Sequence, residues 1–253
     1  MKDTLYLFKR YLLHTIRMPI WIAVNIIQPI FYLTIFSQLF SRVADLPGFA
    51  ADSYLDFLTP GVVIMTAMFG SFWSGMGLID DMNEGVMDRL LVTPVHRFSI
   101  IAARVLHAAG TVVLQGLIII VIALILGTHF PGGVLGVLGI LLFSALLGCS
   151  FSALSNGLAL ITRRDETLIA IINFFGLPLM FLSTAFMASE LMPDWIRLLA
   201  QGNPVNWAVH GSRLAMAGDA WLSVLLYAGL LLLFAILTSV LATQAFRFYR
   251  RSI

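Results

Sequence analysis

The chain has 253 residues, of which 60% are hydrophobic and 11% are charged, whereas a soluble domain carries about 25% charged residues. A soluble fold of this length has too little interior to bury so much apolar surface, which excludes most classes of soluble protein. The net charge of +2 does not indicate a nucleic-acid partner. The single cysteine, Cys149, allows neither a disulfide within the chain nor a cysteine-based metal cluster.

Residues 3 to 18 have the pattern of an amphipathic helix. Apolar residues recur at helical spacing, at Leu5, Phe8, Leu12 and Ile16. Polar and basic residues occupy the other side, at Lys2, Tyr6, Lys9, Arg10 and Arg17. Such an interfacial helix is expected to lie on the cytoplasmic leaflet in contact with membrane lipid. Its role as a topology anchor or as a mechanical element stays open.

Six stretches are apolar and long enough to cross a bilayer, which takes about 20 residues. They run from Ile20 to Phe40, Leu58 to Ile79, Val105 to Leu126, Val134 to Ile161, Leu168 to Met187 and Leu222 to Phe246. Each is predicted to be helical, because lipid offers no partner for free backbone groups and the runs lack the alternation of barrel strands. The predicted fold is therefore an all-α, polytopic membrane protein with six transmembrane helices.

The distribution of basic residues predicts the orientation. With six spans, both termini share one side with the second and fourth loops. Of the 15 basic residues, only Arg42, Arg197 and Arg213 fall on the other side. Since Lys and Arg accumulate in cytoplasmic segments, both termini are predicted to be cytoplasmic.

The loop of residues 80–104, after the second span, combines acidic, apolar and basic residues. Its carboxylates precede Arg89, at Asp80, Asp81, Glu84 and Asp88. Val86, Leu90 and Leu91 form an apolar ridge on a predicted short helix, which favours docking of a cytoplasmic partner. A helix that lies flat on the membrane is the alternative interpretation.

Residues 188–220 form a long outer segment of intermediate polarity. Pro193-Asp194-Trp195 indicates a helix start, and Asn203-Pro204 indicates a turn before a second short helix. Short re-entrant helices that dip into the outer leaflet are predicted here, with an ordinary outer loop as the alternative.

Small and polar residues also occur inside the predicted spans. The fourth span carries them at four-residue spacing, at Ser144, Gly148, Ser152 and Asn156. One such helical face is typical of close helix packing in lipid, and a face that lines a transport path is the alternative. Asn25 and Gln28 in the first span and Asn173 in the fifth are similar cases.

Ionisable side chains are absent from the middle of every predicted span, which argues against an ion-driven carrier. Arg104, near the inner end of the third span, is expected to extend its side chain to water. The sequence contains no HExxH zinc motif and no GxxxxGK[ST] phosphate loop. The chain is therefore predicted not to be an enzyme and to hold no cofactor, and any ATP that powers it binds to another chain.

Two regions carry a resemblance to a known family. In the first, an acidic stretch that begins at Asp81 and contains Gly85 precedes Leu90-Leu91-Val92-Thr93-Pro94. The second comprises Pro178 to Phe186, Met192-Pro193-Asp194-Trp195, Asn203-Pro204 and Arg213. In this order and spacing, the chain resembles the permease subunits of ABC-2 type exporters, most closely those of the daunorubicin/doxorubicin resistance type.

The resemblance implies a single ABC-2 type transmembrane domain over residues 1–253, in a bacterial plasma (inner) membrane. It also implies a second permease copy or paralogue and a separate ATP-binding cassette subunit, which would hold ATP and Mg. The helix after the second span would be the coupling helix that docks on this subunit. The residues expected to couple the two subunits are Asp81, Glu84, Gly85, Asp88, Arg89, Leu90 and Leu91.

The main hypothesis is that the chain is the membrane subunit of an ATP-driven exporter of amphiphilic drugs or lipids. Export of a lipid-linked polysaccharide ranks second, because Tyr and Trp do not line up within the spans as a wide aromatic path would require. A membrane assembly factor without a transport cycle is the third hypothesis. Copurification with an ATP-binding chain distinguishes it from the first two.

Overall fold

The computed structural model describes residues 2–16, 19–45, 53–92 and 97–250, and over these ranges the chain is helical without any strand. The α-helices are α1 (Lys2–Ile16), α2 (Pro19–Phe31), α3 (Ser37–Leu39), α4 (Tyr54–Phe72), α5 (Ser74–Asn83), α6 (Val86–Leu91), α7 (Arg97–Ile125), α8 (Gly133–Thr162), α9 (Asp165–Phe181), α10 (Asp194–Gln201), α11 (Pro204–Ala217) and α12 (Trp221–Arg250). Tyr32–Phe36 forms a π-helical segment, and Ser41–Asp45 and Ser189–Leu191 form 3₁₀ turns. The predicted all-α fold is confirmed for the described residues.

Four helical stretches are long and apolar enough to cross a membrane. They are Tyr54–Asn83, Phe98–Ile125, Gly133–Thr162 and Trp221–Phe246, which correspond to the predicted second, third, fourth and sixth spans. The predicted first span is composite, since α2 leads through the π-helical segment into α3. Pro29 lies inside α2 and removes one helical hydrogen bond shortly before that segment. The predicted fifth span contains α9, a helix of 17 residues.

Two helix boundaries differ clearly from the prediction. α7 begins at Arg97 rather than at Val105, because the apolar residues that precede Arg104, including Ile100 and Ile101, are buried in the helix bundle. α9 ends at Phe181 rather than at Met187. The hydropathy of the chain does not change at this point, so its composition gives no sign of the end.

α8 is the central helix of the bundle and packs against α4, α7, α11 and α12. Small residues let these helices approach closely: a Cβ atom on Gly136 would lie 2.6 Å from the carbonyl oxygen of Ala215 in α11. The fully buried rings of Phe143 and Phe151 fill the space farther along α8. Close packing through small residues is the usual way in which helices associate in lipid.

α1 packs against α7 through a side that only partly coincides with the predicted apolar face, of which Phe8 packs against the core. Leu7 is buried and Tyr11 is half-buried. Leu5 and Leu12, on the predicted apolar face, remain 69% and 41% exposed. The leucines of the predicted face are therefore left for a surface outside the bundle, while a neighbouring side of α1 contacts the protein.

The chain leaves helical geometry after α9, among buried residues, and side chains near α11 bind its free carbonyl groups. Asn203 Nδ2 donates hydrogen bonds to the carbonyl oxygens of Leu179 and Leu182, at 2.6 and 3.0 Å. Its Oδ1 accepts from the backbone N–H of Val205 at 2.9 Å and so caps the start of α11. Asn203-Pro204, predicted as a turn, thus joins the end of α9 to the start of α11.

Arg213 of α11 binds three carbonyl groups from two separate parts of the chain. Its Nε donates to Phe57 at 3.2 Å, and its Nη2 donates to Thr184 and Ala185 at 2.7 and 3.2 Å. The guanidinium carbon also lies 3.6 Å from the centroid of the Phe57 ring. Burial lowers the pKa of Arg213 to about 9, so the group keeps its charge at neutral pH.

A break in the helix at Trp73 separates α4 from α5, and Ser155 of α8 bridges it. The Ser155 hydroxyl donates to the carbonyl oxygen of Phe72, and its Oγ accepts from the backbone N–H of Gly75 at 3.2 Å. A Cβ atom on Gly75 would lie 2.6 Å from the carbonyl oxygen of Ser155. Only glycine allows α5 and α8 to approach this closely.

We expect Gly75→Ala to lower the free energy of unfolding by about 2 kcal/mol, because the new methyl group overlaps the backbone of α8. Gly110→Ala in α7 is the matched control, since nothing lies within 4 Å of a Cβ atom there. The control should gain up to about 1 kcal/mol from helix propensity. Thermal unfolding of the purified chain in detergent measures both changes. Equal shifts for the two variants would contradict the proposed contact between α5 and α8.

Candidate functional site

The turn between α5 and α6 holds the residues that the sequence predicts to couple the chain to a partner. α5 ends at Asn83, Glu84 caps it, and the backbone N–H of Gly85 donates to the carbonyl oxygen of Met82 at 3.0 Å. Gly85 has a φ of +68°, a left-handed conformation that strains residues with a Cβ atom. This glycine therefore fixes the direction in which α6 leaves α5.

The predicted coupling residues divide into exposed and buried groups. Glu84 and Arg89 are exposed, and Asp81 is 7% exposed and lies inside the bundle. The backbone of Asp88, Leu90 and Leu91 lies within α6, but their side chains fall outside what the structure describes. Met87, which the predicted ridge omits, is fully buried.

Asp81 forms ion pairs with two arginines from different helices. Its Oδ1 accepts from Arg10 Nη2 of α1 at 2.9 Å, and its Oδ2 accepts from Arg104 Nη2 of α7. Arg104 Nη2 also donates to the carbonyl oxygen of Gly77 at 3.0 Å. One buried carboxylate thus joins α1, α5 and α7 immediately before the turn that leads to α6.

Tyr11 closes this group of charges from the side of α1. The guanidinium carbon of Arg104 lies 4.6 Å from the centroid of the Tyr11 ring, and that of Arg10 lies 5.7 Å from it, both within the range of cation–π attraction. Burial raises the pKa of Tyr11, and the positive charge of Arg104 opposes that rise. We call Arg10, Tyr11, Asp81 and Arg104 the Asp81 cluster.

The expectation that Arg104 extends to water is wrong, because its side chain is only 6% exposed and bonds inside the cluster. The sequence does contain a signal for the burial of Asp81. Leu78, which is fully buried, precedes Asp81 by three positions in α5, and residues at that spacing share a helical face. The identity of the two arginine partners has no such local signal.

Carboxylates give the surface near α6 a negative charge. Asp80 and Glu84 are exposed at the end of α5, and Glu166 is exposed at the start of α9. α9 packs against α5, and burial, together with the charges of Asp80 and Glu166, raises the pKa of Asp165. A partner surface with basic residues would complement this region.

The polar stripe of α8 lies in a helix interface. Ser144, Gly148, Ser152 and Asn156 are all buried. Ser152 Oγ and Asn156 Nδ2 each donate to the hydroxyl of Ser74 in α5, both at 2.9 Å. These contacts correspond to helix packing within the chain.

The structure does not bring the remaining predicted amides to the α8 stripe. Gln28 and Asn173 are exposed on α2 and α9, and Asn25 is half-buried on α2. Among the residues that the structure describes, no group of three or more His, Cys, Asp or Glu side chains could hold a metal ion.

Residues 2–217 match the model of the ABC-2 type transporter family. The chain is 32% identical to the transport permease ycf38 of Cyanophora paradoxa, over 87% of this chain and 76% of that protein. It is 29% identical to the daunorubicin resistance ABC transporter permease DrrB1 of Streptomyces coeruleorubidus, over 87% and 78% of the two chains. It is also 25% identical to the doxorubicin resistance permease DrrC of Mycobacterium tuberculosis, over 85% and 78%.

We expect Asp81→Asn to lower the free energy of unfolding by about 3 kcal/mol, because it leaves the buried guanidinium of Arg104 without its counter-charge. Asp80→Asn, which changes an exposed neighbour in the same helix, should alter it by less than about 0.5 kcal/mol. Thermal unfolding measures the loss, and the distance between spin labels on α1 and α7 measures the release of α1. A normal melting temperature with an unchanged distance in Asp81→Asn would show that the cluster does not hold α1.

Proposed function

The chain belongs to the ABC-2 type transporter family, and from this we propose that it is the membrane-spanning permease subunit of an ATP-driven exporter. One structural observation supports this role most directly. α6 follows α5 through the left-handed turn at Gly85 and packs on the bundle through Met87. α5, which leads into it, is anchored to α1 and α7 by the ion pairs of Asp81. A force applied to α6 would therefore reach three helices at once.

The proposed topology has six spans and places both termini in the cytoplasm. Four spans are the long apolar helices α4–α5, α7, α8 and α12. The other two are the composite segment of α2 and α3, and α9 together with the irregular chain that follows it. The distribution of Lys and Arg supports this orientation, in which α1 and α6 face the cytoplasm, while α10 and α11 lie as re-entrant helices near the outer leaflet.

A separate ATP-binding cassette subunit would supply the energy, since the sequence contains no phosphate-binding loop of the Walker type. ATP and Mg would be bound by that subunit, and α6 with Glu84 and Arg89 would contact it. ATP binding moves cargo only if the permease binds the cargo with different affinities in its inward- and outward-facing states. The stretch of α4 and α5 would carry the change of state from α6 across the membrane.

The proposed cargo class is amphiphilic drugs or lipids. Its support is the similarity to permeases named for resistance to daunorubicin and doxorubicin. The relatives from Streptomyces and Mycobacterium support a place in the bacterial plasma membrane. A second copy of the chain, or a paralogue, would complete the transporter.

The test replaces Asp88 by Lys and Leu90 by Asp in α6. We expect the double variant to insert into the membrane and yet to lose about tenfold or more of its binding to the ATP-binding subunit, since it reverses a charge and removes an apolar anchor. Copurification from membranes measures binding, and efflux of a fluorescent amphiphile from cells measures transport.

The matched control makes the same two changes at the opposite end of the molecule, Asp194→Lys with Leu198→Asp in α10. The side chains of Asp194 and Leu198 are exposed, so any general effect of these changes on membrane insertion should be similar to that of the α6 variant. The control should keep its ATP-binding partner. If the α6 variant copurifies with the partner and transports normally, α6 is not the coupling helix. If the unmodified chain copurifies with no ATP-binding protein, the proposal of an ATP-driven permease is wrong.

A further inference from the structure

A cavity of about 370 Å³ opens at the end of the bundle opposite to α6. Its walls come from the start of α4, the connection between α7 and α8, the irregular chain after α9, and α11. No predicted site residue lines it. Its volume lies within the range of pockets that bind small molecules.

One wall of the cavity is apolar. It includes Phe57, Leu214, Met216 and Ala217. Met216 and Phe57 are only 5% and 7% exposed, so their part of the wall is held by the packed interior. A hydrocarbon chain or an aromatic ring can displace water from such a surface.

Two carboxylates line the same cavity. Asp56 Oδ1 accepts a hydrogen bond from the backbone N–H of His129 at 2.9 Å, which ties the α7–α8 connection to α4. Glu190 Oε1 accepts from the hydroxyl of Ser189 at 2.7 Å. This hydrogen bond lowers the pKa of Glu190, so its carboxylate is charged at neutral pH. Both carboxylates keep acceptor positions for a further donor.

The guanidinium group of Arg213, which also lines the cavity, is already hydrogen-bonded within the protein. Arg213 donates to the carbonyl oxygens of Phe57, Thr184 and Ala185, whose partial negative charges surround the guanidinium. Burial, together with the nearby charge of Arg213, lowers the pKa of His210, which keeps that imidazole neutral at pH 7. Two carboxylates therefore line the cavity together with one guanidinium, whose donors are taken by backbone carbonyl groups. The positive charges of Arg213 and Arg197 also act on Glu190.

We propose that this cavity binds an alkylammonium group. The ammonium lies between Asp56 and Glu190, and the attached hydrocarbon lies on Phe57, Leu214 and Met216. Such a ligand complements both the charge and the apolar wall, whereas an anionic amphiphile would place its charge against two carboxylates. Binding here does not require ATP or a partner subunit, so it stands apart from the proposed transport function.

Two sources could supply this chemistry. One is a free amphiphile with an amine at one end, and the other is the ethanolamine headgroup of a membrane phospholipid. Competition with a bound probe distinguishes them, because added phosphatidylethanolamine displaces the probe only if the cavity admits the phospholipid headgroup.

The experiment uses the full-length chain in dodecyl maltoside, a detergent without an ammonium group. A dodecylamine that carries a photoreactive diazirine is the probe, and mass spectrometry of the labelled peptides locates it. We expect labels on the segments that line the cavity, residues 184–190 and 210–217. Dodecyltrimethylammonium should compete with the probe, and dodecyl sulfate should not.

Asp56→Asn combined with Glu190→Gln removes both charges and keeps the hydrogen-bond acceptors, and it should reduce labelling about tenfold. Asp219→Asn is the matched control, since it removes an exposed carboxylate at the same end that does not line the cavity. Ala217→Phe leaves the carboxylates in place and fills the cavity, so it should also reduce labelling. This variant decides the test if the double variant aggregates.

If the double variant and Ala217→Phe were both labelled as strongly as the unmodified chain, the proposal would be overturned. Competition by dodecyl sulfate as strong as that by dodecyltrimethylammonium would overturn it as well. When the cavity is labelled as expected, displacement by phosphatidylethanolamine in nanodiscs identifies the lipid headgroup as the natural source. Retention of the label against that lipid, but not against dodecyltrimethylammonium, identifies a free amphiphile.

Discussion

Hydrocarbon offers no hydrogen-bond partner to a peptide group, so a chain in a membrane either stays helical or binds its free backbone groups with its own side chains. At the end of α9, side chains bind the backbone groups that the helix leaves free. Asn203 binds two carbonyl groups there, and Arg213 binds two more together with one from α4. The positions of α9, α11 and the start of α4 depend on these bonds. The cavity beside them exists because the chain turns at this point and does not continue as a helix.

The opposite end of the molecule uses charge in a different way. Asp81 is held by arginines from two helices, and removal of a buried partner costs far more than an exposed pair would contribute. α4 and α5 connect this cluster to Phe57, whose carbonyl group Arg213 binds, over about 36 Å of helix. Ser155 spans the break at Trp73. A displacement of α6 would therefore act on a pair of consecutive helices that is bound to the rest of the bundle at both ends.

The sequence predicts the helical class and the position of each long helix, because lipid imposes length and hydropathy on every span. α8 lies within one residue of its predicted bounds at either end. The predictions fail where tertiary contacts decide the outcome. The end of α9 at Phe181 depends on donors from α11, about 20 residues farther along the chain, and the burial of Arg104 depends on a carboxylate in another helix. The buried side of α1 combines Phe8 of the predicted apolar stripe with Leu7 and Tyr11, which lie outside it.

The three carbonyl groups that accept hydrogen bonds from Arg213 are all synthesised before it. Phe57, Thr184 and Ala185 all precede Arg213 in the sequence, and a growing polypeptide leaves the ribosome from its amino terminus. When α11 reaches the insertion machinery, every group that its guanidinium will bind has already been synthesised. The hydrogen bonds of this buried guanidinium to the three carbonyl groups therefore require no residue that is synthesised after Arg213.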